Sequence, residues 1–218
     1  LRLRWGSVEP LVPILTPASN AAGWIAEAIR PAINQSWPRK EIIIVDDGSR
    51  DGTLAIARSF ESPCIKVIGQ ENLGASAARN QALTVAQGDF IQWLDADDVL
   101  HPRKVATQMD AASRLPKNTL LSSSWATFFN RPERRKLARS ALWQDLGPAD
   151  WLRIKMEQNA WMAIENWLIS RSLAEAAGPW DVTLLRDNDG EYFSRVVRAS
   201  ERIIFVPDFE AVVWALGC

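Results

Sequence analysis

Ile42-Ile43-Ile44-Val45-Asp46-Asp47-Gly48-Ser49 decides the fold class of this chain. Its four β-branched residues are too few for a helix and lack polar alternation, as expected of a strand covered on both faces. The acidic, glycine-bearing turn leads into a helical stretch, Thr53 to Phe60. The same alternation repeats on either side. Leu11 to Thr16 reads as an earlier strand, with Pro13 better suited to an edge or a strand start than to a central position. Ala22 to Asn34 carries apolar residues at helical spacing, and Pro31 should bend or end that helix early. Ile65 to Ile68 is a third strand, and Ala75 to Ala86 an alanine-rich helix stopped by Gly88. Phe90 to Leu94 is a fourth strand, and Pro102 to Leu115 a helix with Pro in its first turn. The pattern predicts an α/β fold: a Rossmann-like, mostly parallel sheet flanked by helices, with right-handed crossovers.

The second half is less regular. Leu120 to Phe129, Ile164 to Ile169 and Ile203 to Val206 read as strands, which predicts a mixed sheet there. Pro148 to Glu157, Arg171 to Ala177 and Asp189 to Ala199 read as helices. No repeat or linker interrupts the 218 residues, so a single domain is expected, with halves at 10–115 and 116–218.

Composition narrows the function. With 25 basic and 26 acidic residues the net charge is −1, and no global field favours nucleic acid. Two cysteines, Cys64 and Cys218, are too few for a disulfide framework, so a reducing cytoplasm is expected. No apolar run reaches the ~18 residues of a transmembrane helix. The start at Leu1 and the stop at Gly217-Cys218, just after an apolar segment, suggest a fragment or an altered end.

Ligands of parallel sheets bind beyond the carboxyl ends of the strands, at a topological switch point. Four segments lie there: Pro17 to Asn20, Asp46 to Ser49, Gln70 to Gly74 and Asp95 to Asp98. Asp95-Ala96-Asp97-Asp98 sets three carboxylates in four residues, whose repulsion a divalent cation would relieve; Mg²⁺ and Mn²⁺ favour oxygen ligands. The plain alternative is an Asp-rich turn capping the next helix. In Asp46-Asp47-Gly48-Ser49 with Asp51-Gly52-Thr53, one Asp can accept a base N–H or a ribose hydroxyl, while the same residues also make an ordinary strand–turn–helix connection. Gly74 to Asn80 opens a helix whose Arg79 can grip a phosphate or pair with an aspartate. No Gly-x-Gly-x-x-Gly follows the first strand, which excludes a dinucleotide-binding fingerprint. A metal-dependent phosphohydrolase would use the acidic clusters but leaves Arg79 and the later Asp-rich helix start unexplained.

Taken in order, these segments resemble the family 2 glycosyltransferases, enzymes of the GT-A fold that use nucleotide-sugars. The resembling stretches are Ile14 to Asn20, Ala32 to Trp37, Ile44 to Thr53, Gly74 to Asn80 and Asp95 to Asp98; residues 160–200 are similar more weakly. The resemblance implies an inverting transfer from a nucleoside-diphosphate sugar to an acceptor hydroxyl or amine. Pro17, Ala18, Ser19, Asn20, Asp46, Asp47, Gly48 and Gly74 would then serve the nucleotide. Arg79, Asp95 and Ala96 would complete the nucleotide-sugar site, and Asp97 with Asp98 would hold Mn²⁺ or Mg²⁺ on the diphosphate. The acceptor would be a glycan, a lipid-linked molecule or a protein, met in the cytoplasm or at the inner face of a membrane. The family's strand-one ending is Pro-Thr-Tyr-Asn; here Pro17-Ala18-Ser19-Asn20 lacks the aromatic that would stack on the base. Its base lies in a Glu-Asp pair after Gly-Pro-aromatic-Asp. Here Gly178-Pro179-Trp180-Asp181 precedes Asn188-Asp189, so Asp189 matches the general base and Asn188 replaces the Glu; Asp187 and Glu191 are competitors. That replacement, with a chain end that stops short of the family's closing loop, motivates an alternative: a catalytically impaired nucleotide-sugar-binding protein.

Three features take plainer readings. His101 suits a cap or the surface better than a metal. Arg131, Arg134, Arg135, Lys136 and Arg139, interrupted by Glu133, suit a solvated segment better than a membrane or lipid contact. Trp161, Trp167 and Trp180 suit the core better than sugar stacking.

Overall fold

A computed structural model describes residues 5, 8–128, 136–137 and 139–214, with side chains to 207. Five strands form the first sheet in the order β3-β2-β1-β4-β7: Ile65–Gln70, Lys40–Asp47, Val12–Ala18, Phe90–Trp93 and Ile169–Ser170. The first four are parallel and β7 runs antiparallel at the edge. The second sheet has the order β6-β5-β8: Lys136–Leu137, Thr119–Phe128 and Arg202–Trp214. There β5 and β8 are parallel and β6 is antiparallel, so the expected mixed sheet is present. The helices are α1 (Ile25–Ile33), α2 (Thr53–Arg58), α3 (Ala75–Val85), α4 (Lys104–Ala112), α5 (Pro148–Glu157), α6 (Arg171–Ala177) and α7 (Asn188–Ala199).

The run that decided the fold class lies where expected. Ile42 to Val45 are buried in β2, with Leu15 opposite Ile43 and Ile44 opposite Val67. β1 is buried at all seven residues because helices cover both faces. One apolar cluster joins Leu15, Ile43 and Trp93 of the first half to Leu120, Trp151, Trp167 and Val196 of the second. Burying each such side chain contributes roughly 1.5–3 kcal/mol, so the two halves share much of one core.

β1 is central, and Pro13 falls at the strand start, one of the two places expected for it: it is the second residue, and the β1–β4 pairing begins only at Ile14. Two expectations need correction. Pro31 does not end α1, which continues to Ile33. Ile164 to Ile169 is not a strand. It forms a 3-10 turn, Ile164–Asn166, then the two-residue β7. Glu165 and Asn166 are buried, and the turn directs Glu165 to β4: its Oε1 accepts the Asp95 N–H at 3.0 Å, and its carbonyl accepts from Gln92 Nε2 at 2.9 Å. A strand would have spent those backbone groups on a ladder. His101 lies just before α4, where its carbonyl accepts the Lys104 N–H and Gln35 Nε2, as a capping position should. Of the basic run, Lys136 and Arg139 are exposed, and Arg131, Arg134 and Arg135 lie outside the described residues. Trp167 and Trp180 are core residues, but Trp161 is 49% exposed.

Candidate active site

The strand order reverses between β1 and β4, and a cavity of about 410 Å³ opens beyond their carboxyl ends. Pro17, Ala18, Ser19 and Asn20 form one wall, while Asp47, Arg79, Asp95, Ala96 and Asp97 contribute others. Asp46, Gly48, Gly74, Asp98 and Asp189 do not line this cavity. Trp24, at the N-terminus of α1, also lines it and is 38% exposed. Sequence reasoning assigned Trp24 to the helix's apolar face; an aromatic one residue before a helix start, six residues past a strand end, was the missed signal.

Hydrogen bonds tie the loops after β1 and β2 together. The Asn20 N–H donates to Ser49 Oγ at 2.9 Å, and Asn20 Oδ1 accepts the Arg50 N–H at 2.9 Å. Ala21 N–H donates to Thr53 Oγ1 and Ala22 N–H to Asp51 Oδ2. Asp46 Oδ2 accepts the Ser49 N–H at 3.1 Å and closes the turn. Asp47 holds the loop after β3: Oδ1 accepts from Gln70 Nε2 and the Leu73 N–H, both at 2.8 Å, and Oδ2 accepts the Gly74 N–H at 2.9 Å. The two glycines follow from this closeness. Gly48 has φ +66° and a Cβ there would lie 2.6 Å from Asn72 N, while Gly74 reaches Asp47 with φ +92°. The turn reading of this motif therefore holds: Ser49, Asp51 and Thr53 shape the wall that Asn20 and Asp47 present to the cavity.

The acidic cluster divides. Asp97 faces the cavity, and burial together with Asp95 raises its pKa. Asp98 is buried and turns inward, where carboxylate oxygens of Asp95, Asp98 and Glu165 lie within 4.8 Å of one another. Burial, then Asp95, pushes the Glu165 carboxyl up to about 8. Beneath lies Lys104, fully buried, donating to Gln92 Oε1 and, at 3.1 Å, to the Trp167 carbonyl. Burial holds its pKa well below the usual lysine range, against the opposing pull of Glu165. Sequence reasoning missed both residues. The available signal was Gln92, a polar residue within the apolar run Phe90 to Leu94, which needs buried polar company.

Arg79 connects the cavity to α7. Its buried guanidinium lies 3.0 Å from Asp95 Oδ1 and 3.1 Å from Asp189 Oδ1, the latter a charge contact without hydrogen-bond alignment. It stacks over the Trp180 ring at 4.5 Å. Burial opposes its charge, but Asp95 and Asp189 outweigh that and raise its pKa. Asn188, in place of the family's Glu, donates to Ser76 Oγ at 3.3 Å and accepts from Arg79 at 3.5 Å, so it ties α7 to α3. Asp187 adopts a left-handed φ of +51° at the α7 N-terminus. Burial raises the Asp189 carboxyl; Arg79 opposes this, Asp95 and Asp187 add to it, and the result is about 6. Glu191 is occupied by Arg195 at 2.6 Å. Asp189 also lines a second cavity, of about 220 Å³, on its far side.

Comparison with known proteins agrees with this geometry. The family model described as glycosyl transferase family 2 matches residues 14–176. A putative teichuronic acid biosynthesis glycosyltransferase of Bacillus subtilis is 41% identical over 105 residues, 47% of this chain and 42% of that protein. An uncharacterized glycosyltransferase of Escherichia coli is 30% identical over 157 residues, 68% of this chain and 44% of that one. In these matches the chain spans less than half the length of its curated relatives. The crystal structure of S. aureus TarS residues 1–349 in complex with UDP superposes with a TM-score of 0.75 at 19% identity, over 94% of this chain and 60% of that one. A Pyrobaculum calidifontis mannosyltransferase in complex with GDP-Man and Mn²⁺ gives 0.67 at 22% identity, over 95% and 57%. The likeness to these structures establishes the GT-A fold.

Proposed function

The chain belongs to glycosyl transferase family 2, and from that premise we propose that it is an inverting glycosyltransferase, moving a sugar from a nucleoside-diphosphate sugar to an acceptor hydroxyl or amine. The observation that carries this reading is the line Asp95–Arg79–Asp189, which sets a carboxylate of about 6 beside the switch-point cavity. Both halves then act as one domain, as their shared core supports.

In this reading the base enters between Pro17 to Asn20 and Trp24, whose indole supplies the plane that the strand-one ending lacks. Asp47 keeps that wall fixed, and Asp95 meets the ribose. Asp97, with or without Asp98, would hold Mn²⁺ or Mg²⁺, which would supply charge neutralisation for the leaving diphosphate. The donor set fits a hard cation: burial and the neighbouring Asp95 raise the cost of charge on Asp97, and carboxylate oxygens are the ligands such ions prefer. Asp189 accepts the acceptor's proton as its oxygen or nitrogen bonds to the anomeric carbon. The bond from that carbon to the diphosphate oxygen breaks, and its electron pair leaves with the diphosphate. Attack opposite the leaving group inverts the anomeric centre. A base near 6 is ionised at neutral pH yet still competent to take a proton. Among the described residues no helix is long and apolar enough to cross a membrane; the reaction is assigned to the cytoplasm or the inner membrane face.

A thermal-shift screen of nucleoside diphosphates with and without Mn²⁺ tests the reading. A Mn²⁺-dependent shift for UDP or GDP, lost in Asp97→Ala, is expected. Asp189→Asn should keep the shift and stop transfer. Unchanged turnover in both variants would remove the proposal.

A further inference from the structure

One buried carboxyl has no part in the proposed function. Glu165 packs against the acidic loop, and neither it nor Asp98 lines the first cavity, whereas Asp95, Ala96 and Asp97 do. The loop is a turn: the Asp98 N–H donates to the Asp95 carbonyl at 3.2 Å, which puts Ala96 and Asp97 at its corner. Glu165 holds both feet of that turn. Its Oε1 accepts the Asp95 N–H at 3.0 Å, and its side chain hydrogen-bonds Asp98. Asp97, at the corner, is left to the cavity. The backbone around Glu165 is itself pinned from three elements. The carbonyls of Glu165, Asn166 and Trp167 accept in turn from Gln92 of β4 at 2.9 Å, Gln108 of α4 at 3.0 Å and Lys104 of α4 at 3.1 Å. Ser123 of β5 also donates to the Asn166 carbonyl, at 3.3 Å. All four donors are buried. Burying a carboxyl, an amine and two amides is no more stabilising than filling the same space with apolar side chains. Stability alone therefore gives no reason for this arrangement. What it achieves is a fixed carboxyl behind a loop that has to present charge.

We propose that Glu165 is a positioning residue for the cation: through its hydrogen bonds to Asp95 and Asp98 it sets the turn that presents Asp97 to the metal. The inference rests on the metal reading above and adds a residue to it. Glu165 acts through its length and its hydrogen bonds rather than as a ligand, because it has no surface in the cavity. Partners that orient metal-binding carboxylates from behind are worth about 10–100-fold in metal affinity. The same contact fixes the Asp95 backbone. The Asp95 carboxylate pairs with Arg79, so Glu165 also sets the near end of the line that reaches Asp189.

Two substitutions separate reach from charge. Glu165→Gln keeps the length, an oxygen for the Asp95 N–H and an N–H for Asp98, but carries no charge. Glu165→Asp keeps the charge and is one methylene short. Mn²⁺ is titrated into the whole chain with UDP and, separately, with GDP at fixed concentration. Binding is read from the loss of the free Mn²⁺ EPR signal, and metal-free unfolding is recorded beside it. The unaltered chain should bind Mn²⁺ with one of the two nucleotides. Glu165→Gln should bind within about threefold of it, and Glu165→Asp about tenfold or more weakly, with excess Mn²⁺ restoring the nucleotide thermal shift. Should Glu165→Asp not fold, Glu165→Met decides in its place: it fills the buried space without either hydrogen bond and should show the same loss. Equal affinity in every chain makes Glu165 a packing residue and overturns the proposal. Weaker binding by Glu165→Gln than by Glu165→Asp, or equal weakening in both, overturns it too, since charge would then be what acts. An unaltered chain that binds no Mn²⁺ with either nucleotide overturns the metal reading itself. An unaltered chain that binds, beside variants that do not differ from it, overturns this inference alone.

Discussion

From β1 to β4 the chain carries its acidic residues on loops past strand ends; from β5 onward the corresponding ground is held by indoles. The first cavity is lined by Asp47, Asp95 and Asp97, the second by Trp151, Trp161 and Trp167. Carboxylates fixed by strand ends suit charged phosphate through a cation, whereas indole ring planes offer apolar contact. Arg79 links the two: it lines the first cavity, pairs with Asp95 there, and contacts Asp189 of the second.

Asp189 is therefore where the contrast breaks most sharply. Asp189→Asn should lower turnover by about 10²–10⁴, with the Mn²⁺-dependent nucleotide shift retained. In the unaltered chain, kcat should be level above the carboxyl's pKa of about 6 and fall as pH drops through it, toward tenfold per unit, because the protonated form cannot accept. A flat profile between pH 5 and 7 would assign the base elsewhere.

Arg79→Met should come next. It leaves Asp95 and Asp189 facing each other without a cation, and chemical denaturation should show a loss of about 2–3 kcal/mol. The figure lies at or below the low end for fully buried pairs because the two carboxylate side chains keep 31% and 39% of their exposure. Asp189→Asn in the same chain should restore part of it, since one repelling charge is gone.

The buried side of the acidic loop sharpens the comparison further. An unfolded chain releases the Glu165 proton near its ordinary 4.5, the folded chain near 8. Between those values the folded state binds more protons, so stability contributed by this group falls as pH rises. Glu165→Gln should flatten the decline in metal-free buffer; a slope unchanged from pH 5 to 8 would place the proton on another group. The smallest effect belongs to the solvent side of α5. Glu157→Gln breaks an exposed pair with Arg153, and chemical denaturation should show stability unchanged.

The first half was legible because its elements are local. Ile42 to Val45, the turns with Gly48 and Gly74, and the Asp95 to Asp98 cluster each announce themselves within ten residues. Nine of the residues named from sequence line the first cavity, and the resemblance also led to Asp189. The rest depends on distant partners. Glu165 reads as part of an apolar strand until its 3-10 turn meets Asp95, seventy residues earlier. Trp161 looks like its buried neighbours, and only the path of the chain after α5 leaves it half exposed. Pro31 does not stop α1, which runs through it to Ile33.

The amine of Lys104, sealed between Gln92 and the Trp167 carbonyl, has one more consequence. An acylating reagent in water meets exposed lysines such as Lys66 and Lys117 directly, but it meets this one only when the contact between α4, β4 and the Trp167 segment opens. The rate at which Lys104 is modified is then a clock for that opening, readable by peptide mass mapping without any engineered label. A bound nucleotide that steadies the Asp95 loop should slow the clock, reporting occupancy of the cavity from behind its floor.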